Sequence, residues 1–459
     1  MSFKVQFSHI AEIIMGQSPK GEEVNNEGIG LPLLNGPTEF TDRYPLPVQH
    51  TAFEKKTSLP GDILFCVRGS TTGKMNYSDQ KYCIGRGLAA IRGRNGYPTP
   101  YVKAVLEACL PELLAAATGS TFPNVSRDLI SNISVDVLSV DDAYRISKFI
   151  ESQEGKVFNN NRINQTLEQM AQALFKSWFV DFEPVKAKIA VLEAGGSLED
   201  ATLAAMTVIS GKDADSLAIF EREYPEKYAE LKATAELFPT AMQESELGEI
   251  PVSWTLSEIG KEINIAGGAT PSTKTPEFWD NGNINWTTPK DLSDLKDRIL
   301  LHTERKITKL GLGKISSGLL PINTVLMSSR APVGYLAIAK IPVAINQGYI
   351  AMKCDKDLSP EFVLQWCSIN MPEIVSRASG TTFAEISKKN FKPIPLVKPP
   401  ENLVKDYTKQ VSTIYSLIEN NARENNNLSQ LRDTLLPKLL SGEITLPEAE
   451  EIAKEADYV

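Results

Sequence analysis

LPGDILF at residues 59–65 returns as LPINTVL at 320–326, and this pair decides how the rest of the chain is read. The same separation of 261 residues relates IGRGLAAIRG from Ile84 to INQGYIAMKC from Ile345 and ATGSTFPNVS around Gly119 to ASGTTFAEIS around Gly380. It also relates the asparagine runs from Asn159 and Asn420. An offset held over more than a hundred residues marks a duplicated unit, which constrains the fold more than any single element does. Upstream, GQSPK with Pro19 answers GATPST with Pro271, and LLNGP with Pro37 answers NWTTP with Pro289, both at 252. Nine residues are gained between Pro37 and Leu59, where a variable loop is expected.

Each copy opens with a globular part, residues 1–140 and 250–400. Short β-type runs such as ILFCV (63–67), TVLM (324–327) and ISVDVL (133–138) are interrupted there by helical stretches such as the one from Tyr101. A helical part follows. Ile146, Ile150, Gln153, Val157, Asn160, Asn164, Leu167, Met170, Leu174 and Trp178 fall at spacings of three and four, and the seam recurs as Tyr407, Val411, Ile414, Ile418, Asn421, Asn425, Leu428, Leu431, Leu435 and Leu439. The expected class is α+β: two globular domains separated by two long antiparallel coiled-coil-like helices, with a pseudo-twofold internal repeat. The divisions are 1–140, a first spacer helix 141–184, an acidic helical linker 185–249, a second domain 250–400, a second spacer helix 401–444 and an acidic tail 445–459. Asn160 and Asn164 are expected near Asn421 and Asn425, fixing register by hydrogen bonds where apolar seams do not; a locally wet interface is the alternative.

Composition narrows the function. The chain of 459 residues is 42% hydrophobic and 23% charged, without an apolar run of membrane-span length or a secretory leader, so a cytoplasmic protein with no membrane partner is expected. Five scattered cysteines and three separated histidines show no metal-ligand spacing, and no metal site is expected. The net charge of −9 is unevenly spread: 0 for 1–140, −2 for 141–184, −7 for 185–249, +5 for 250–400 and −5 for 401–459. The acid lies outside the globular parts, which leaves them compatible with DNA.

Catalytic templates are missing. GSTTGKM at Gly69 is one residue short of a phosphate loop and carries Met75 where a metal-binding hydroxyl belongs. KPPE at Lys398 lacks the polar first residue and the aromatic of an amino-methyltransferase loop. No catalytic residue is assigned. Two other readings stay open at this point: an enzyme with a divergent site, and a protein scaffold that does not touch DNA.

With the repeat and the seam in place, the chain resembles the specificity subunits of type I restriction-modification systems over essentially its whole length. The resemblance rests on LFKSWFVDFEPV (174–185), ELGEIPVSW (246–254), GTTFAEISKKNFKPIPLVKPP (380–400) and LRDTLLPKLLSGEI (431–444). It implies two target-recognition domains, each reading one half of a bipartite double-stranded DNA site, with the helices setting the unread spacing. It also implies two methyltransferase subunits that modify adenine at N6, and two restriction/translocase subunits. S-adenosylmethionine, ATP and Mg would belong to those partners, leaving no cofactor in this chain. The segment 185–249 departs from the repeat; it is either a linker that meets a partner or a solvated helical insert.

Base edges favour Arg, Lys, Asn and Gln, and phosphates favour cations and hydroxyls. The loop after residues 63–67 offers Arg68, Ser70, Thr71 and Lys74, followed by Arg86, Arg92 and Arg94. Its counterpart offers Ser329, Arg330 and Tyr335, followed by Gln347. Thr121 and Thr381 in the matched Gly-Ser/Thr-Thr-Phe turns, with Lys388 and Lys389, are expected at phosphates. Helix pairing is assigned to Asn160, Asn164, Leu167, Leu174, Asn421, Asn425, Leu428 and Leu435.

Overall fold

The computed structural model describes residues 2–117, 123–293, 295–380 and 384–456. The chain divides into two compact units, one formed by residues 1–160 with 424–459, the other by 161–423. Both boundaries fall in the asparagine-rich stretches of two long helices, Val140–Phe179 of 40 residues and Glu401–Ser441 of 41 residues.

In the first unit a four-stranded sheet runs in the order Ala11–Met15, Leu88–Gly93, Ile63–Cys66, Met75–Tyr77. Ile63–Cys66 is buried throughout because alternate side chains enter different cores. Ile63 and Phe65 pack with the helix Thr99–Ala116, whereas Leu64 and Cys66 join Leu34, Tyr82 and Ile84. A second sheet, Val24–Asn25, Gln49–Thr51, Leu31–Leu34, Tyr82–Ile84, Thr57–Ser58, lies beside this smaller core.

The second unit repeats the plan. Thr324–Ser329 is again wholly buried, with Val325 and Met327 in one cluster and Leu326 in another. Its sheet runs Asn264–Ala266, Tyr349–Lys353, Thr324–Ser329, Val333–Ala339, Ile299–Leu300. The other sheet is Arg305–Ile307, Ile284–Thr287, Ala344–Ile345.

Strand register carries the repeat to single-residue resolution. Phe3 faces Val137 as Thr255 faces Lys398, and the two members are displaced by 252 and 261. The nine-residue gain is not one loop. Leu33 and Trp286, each flanked by equivalent strands, differ by 253, while their partners Gln49 and Arg305 differ by 256. The rest is added before Leu320, where the second unit inserts the short helix Lys309–Leu312.

Each long helix contributes separately to each unit. In the first, Ile146 and Ile150 share a core with Leu435 and Leu439. In the second, Ala171, Phe175, Trp178 and Phe179 pack with Tyr407, Val411 and Phe362. Met170, expected in the seam, is 54% exposed, and Ala171 and Phe175 take its place. The face turns because this half of the helix must serve both the second helix and the globular core carrying Phe362. Leu167 and Leu174 are accordingly only partly buried, whereas Leu428 and Leu435 are buried.

The stretch after the first long helix folds as Glu183–Glu193, Leu198–Ser210, Ala214–Glu223 and Pro225–Glu236. Ser197 and Asp200 form a capping box, and Asp213 caps the next helix through the Ser216 amide. Ala205, Met206 and Leu217 anchor these helices to the second unit's core. Among the described residues no helix is long and apolar enough to cross a membrane.

Candidate nucleic-acid interface

At one end of the main sheet in the first unit, four segments that are distant in sequence are tied together by backbone hydrogen bonds. Gly16 N donates to Leu88 O at 2.9 Å, Gln17 N to Ile84 O at 2.8 Å, Val67 N to Gly87 O at 2.9 Å and Val125 N to Val67 O at 3.0 Å. The second unit repeats this: Ala269 N donates to Ile345 O at 3.0 Å, Ser329 N to Gly348 O at 2.8 Å and Ile386 N to Ser329 O at 3.0 Å. The approach is close enough to demand glycine. A Cβ on Gly16 would meet Gly85 O at 2.1 Å, and one on its counterpart Gly268 would meet Ile345 O at 1.9 Å. Matched helix caps complete the frame, Ser126 accepting from Leu129 N and Ser387 from Asn390 N.

The side chains on this shared frame differ. In the first unit Arg68 and Arg86 are exposed, with the Arg86 amide donating to Ser18 Oγ at 3.1 Å. Asn35 Nδ2 donates to Gln49 Oε1 at 3.1 Å beside a cleft of about 430 Å³. In the second unit Thr270 Oγ1 donates to Gln347 Oε1 at 2.7 Å, and the Lys388 ammonium lies over Gly267. Arg330 reaches Glu385 at 3.7 Å, leaving its guanidinium partly exposed.

The remaining sequence-assigned residues lie variously. Ser70 and Lys74 are exposed on the hairpin after Arg68, and Thr71 Oγ1 lies 3.6 Å from Cys66 Sγ. Ser329 is 3% exposed, deep in the sheet, while the Tyr335 amide donates to Ser328 Oγ at 2.8 Å. Lys389 is exposed beside Lys388. Thr121 and Thr381 lie outside the described residues. Arg92 and Arg94 are not brought to this end: Leu88–Gly93 spans about 20 Å, and they sit at its far end. Arg92 donates there to Asp62 Oδ2 at 2.7 Å. Burial raises the Asp62 carboxyl despite the Leu59 amide and the Arg92 charge, so Arg92 serves to compensate a buried acid.

Sequence reading passed over Ser18, Asn35, Gln49, Thr270 and Arg305. The 252-residue offset at Pro19 and Pro37 is the signal that could have found the first two and Thr270, since it marks their segments as repeated.

In the helices, Asn160 Nδ2 donates to Glu424 Oε2 at 2.8 Å and Asn425 Oδ1 at 3.0 Å within the first unit. Within the second, Asn421 Nδ2 donates to Asn164 Oδ1 at 2.8 Å, and Asn164 Nδ2 donates to Ile418 O at 3.3 Å. In each unit partner numbers fall as the first helix advances, which is an antiparallel pairing.

The chain is similar to known proteins over much of its length. A family model described as the type I restriction modification DNA specificity domain matches residues 251–430. The chain is 32% identical over 344 residues to the type I restriction enzyme HindI specificity subunit of Haemophilus influenzae, covering 72% of this chain and 74% of that one. It is 33% identical over 194 residues to the MjaIX specificity subunit of Methanocaldococcus jannaschii, covering 42% of this chain and 45% of that protein. A crystal structure of a type I restriction-modification S subunit from M. genitalium shares the fold, with a TM-score of 0.53 at 13% identity and 96% of each chain covered.

Proposed function

Since the chain belongs to the specificity subunits of type I restriction-modification systems, a non-catalytic family, we propose that its two units each read one half of a bipartite double-stranded DNA target. The observation that carries this is the repeated frame: equivalent segments converge at the same end of the sheet in both units, while the side chains they present differ. One scaffold with two different reading surfaces suits an asymmetric site. Arg68, Arg86 and Ser18 form the first surface; Arg330, Gln347, Thr270 and Lys388 form the second. The long helices serve as the spacer between half-sites. Two methyltransferase subunits and two restriction subunits dock on the chain in the cytoplasm, and they bring S-adenosylmethionine, ATP and Mg.

The test is a salt-dependent gel shift with genomic DNA in the presence of the methyltransferase subunit, followed by mapping of methylated adenines. Arg68→Ala should relax preference in one half-site and Arg330→Ala in the other. An equal loss on all sequences would make either residue a phosphate contact. Absence of any sequence-dependent shift by the wild-type complex would reject the reading.

A further inference from the structure

We propose that one matched position, Gln49 in the first unit and Arg305 in the second, is a base-reading position, with Arg305 selecting a guanine in the second half of the target. This rests on the DNA-reading function above and assigns it to residues outside the loops that carry Arg68, Arg86, Arg330 and Gln347. Register sets the equivalence. Leu33 pairs with Gln49 on one side and Cys83 on the other, as Trp286 pairs with Arg305 and Ala344. Gln49 is bonded to Asn35, against which Gly85 of the Arg86 turn packs, and Arg305 lies on indoles bonded to Ala269 and Ser272, the segment whose Thr270 holds Gln347.

Arg305 is exposed yet held. Its guanidinium carbon lies 3.7 Å from the centroid of the Trp279 ring and 5.4 Å from that of Trp286. The two indoles meet edge to face at 5.0 Å and are themselves anchored at the recognition end. Trp279 Nε1 donates to Ser272 O at 3.0 Å, and Trp286 Nε1 to Ala269 O at 3.2 Å. Stacking uses the face of the guanidinium and leaves its N–H fork available; among the described residues no carboxylate forms an ion pair with it. A fork whose plane is fixed in advance loses little rotamer freedom on binding, and it matches the O6 and N7 acceptors of guanine. At the matched position Asn35 holds the Gln49 amide, whose Nε2 and remaining acceptor capacity suit adenine N7 and N6.

The experiment uses the complex with its methyltransferase subunits, competed against duplexes in which each position of the mapped site is replaced in turn. A wild-type complex without sequence preference would defeat the underlying function itself. Given that preference, Arg305→Ala should flatten discrimination at one guanine of the second half by roughly 5- to 100-fold and leave every other position as it was. Trp279→Ala should weaken the same position in part, and Trp279→Phe should keep it. Gln49→Ala should flatten one position of the first half. A uniform loss over the whole panel, or an unchanged panel, overturns the proposal. Should the alanine variant fail to assemble, Arg305→Lys and Arg305→Gln are read by the same rule, because both keep a long polar side chain on the strand.

Discussion

Asp297 is half-buried beside Asn164, and loss of solvent pushes its carboxyl up to about 6, against opposing hydrogen bonds from Ile299 N at 3.2 Å and Asn164 Nδ2 at 3.4 Å. The folded state therefore holds this proton more tightly than the unfolded chain, whose carboxyl titrates near 3.8. Above the folded value the charged group costs stability, roughly 3 kcal/mol, and the cost fades as pH falls from about 6 towards 4. Asp297→Asn keeps the acceptor for Ile299 N, so it should raise the denaturation midpoint at pH 8 and bring little gain at pH 4; urea titrations at the two pH values decide it. At Gly268 the approach of Ile345 O leaves no room for a methyl group. Gly268→Ala should cost second-half-site reading at least tenfold while first-half reading persists in the duplex panel, and an equal loss in both halves would refute this. Which side chains share this surface was only partly legible in the sequence. Arg92 and Arg86 look alike as letters, but Arg86 precedes the strand Leu88–Gly93 while Arg92 lies near its far end, and a buried Asp62 claims Arg92. Arg305 sits in a charged run with no turn signal, and only the folding of Trp279 and Trp286 beneath it gives it a fixed plane.

The two long helices show what periodicity can and cannot supply. Spacings of three and four predict the helices and the asparagine contacts, because seam geometry is local and repeats with the turn. They do not predict that the seam moves from Met170 to Ala171 and Phe175, since that depends on Phe362 arriving from another element. Likewise the nine-residue gain reads in sequence as a single loop, whereas strand pairing distributes it over several connections. The asparagine contacts give a direct test at this scale. Asn160 Nδ2 bonds Asn425 Oδ1 at 3.0 Å, so a double-mutant cycle with Asn160→Ala and Asn425→Ala should return a coupling of about 1 kcal/mol. Additive losses would mean that this hydrogen bond does not contribute to pairing.

For the molecule as a whole, the duplicated frame was legible because both copies keep the residues that their backbones require, such as Gly16 with Gly268 and Ser126 with Ser387. The reading residues were not, because a position that discriminates bases must differ between copies, as Gln49 differs from Arg305. Charge diverges with them: residues 1–140 are neutral and residues 250–400 carry +5. Phosphate neutralisation releases counterions, and the slope of log affinity against log salt falls by about 0.9 per contact. In the proposed assembly the methyltransferase subunits contribute alike to either half, so a difference between halves isolates this chain. On short duplexes carrying one half-site each, the complex should show a slope steeper by about 1 to 3 for the second half-site between 50 and 200 mM salt. Equal slopes would mean that the excess charge of 250–400 faces away from DNA. Lys388→Ala with Lys389→Ala should then leave the slope unchanged, whereas cations facing the phosphates predict that this double variant removes part of the difference.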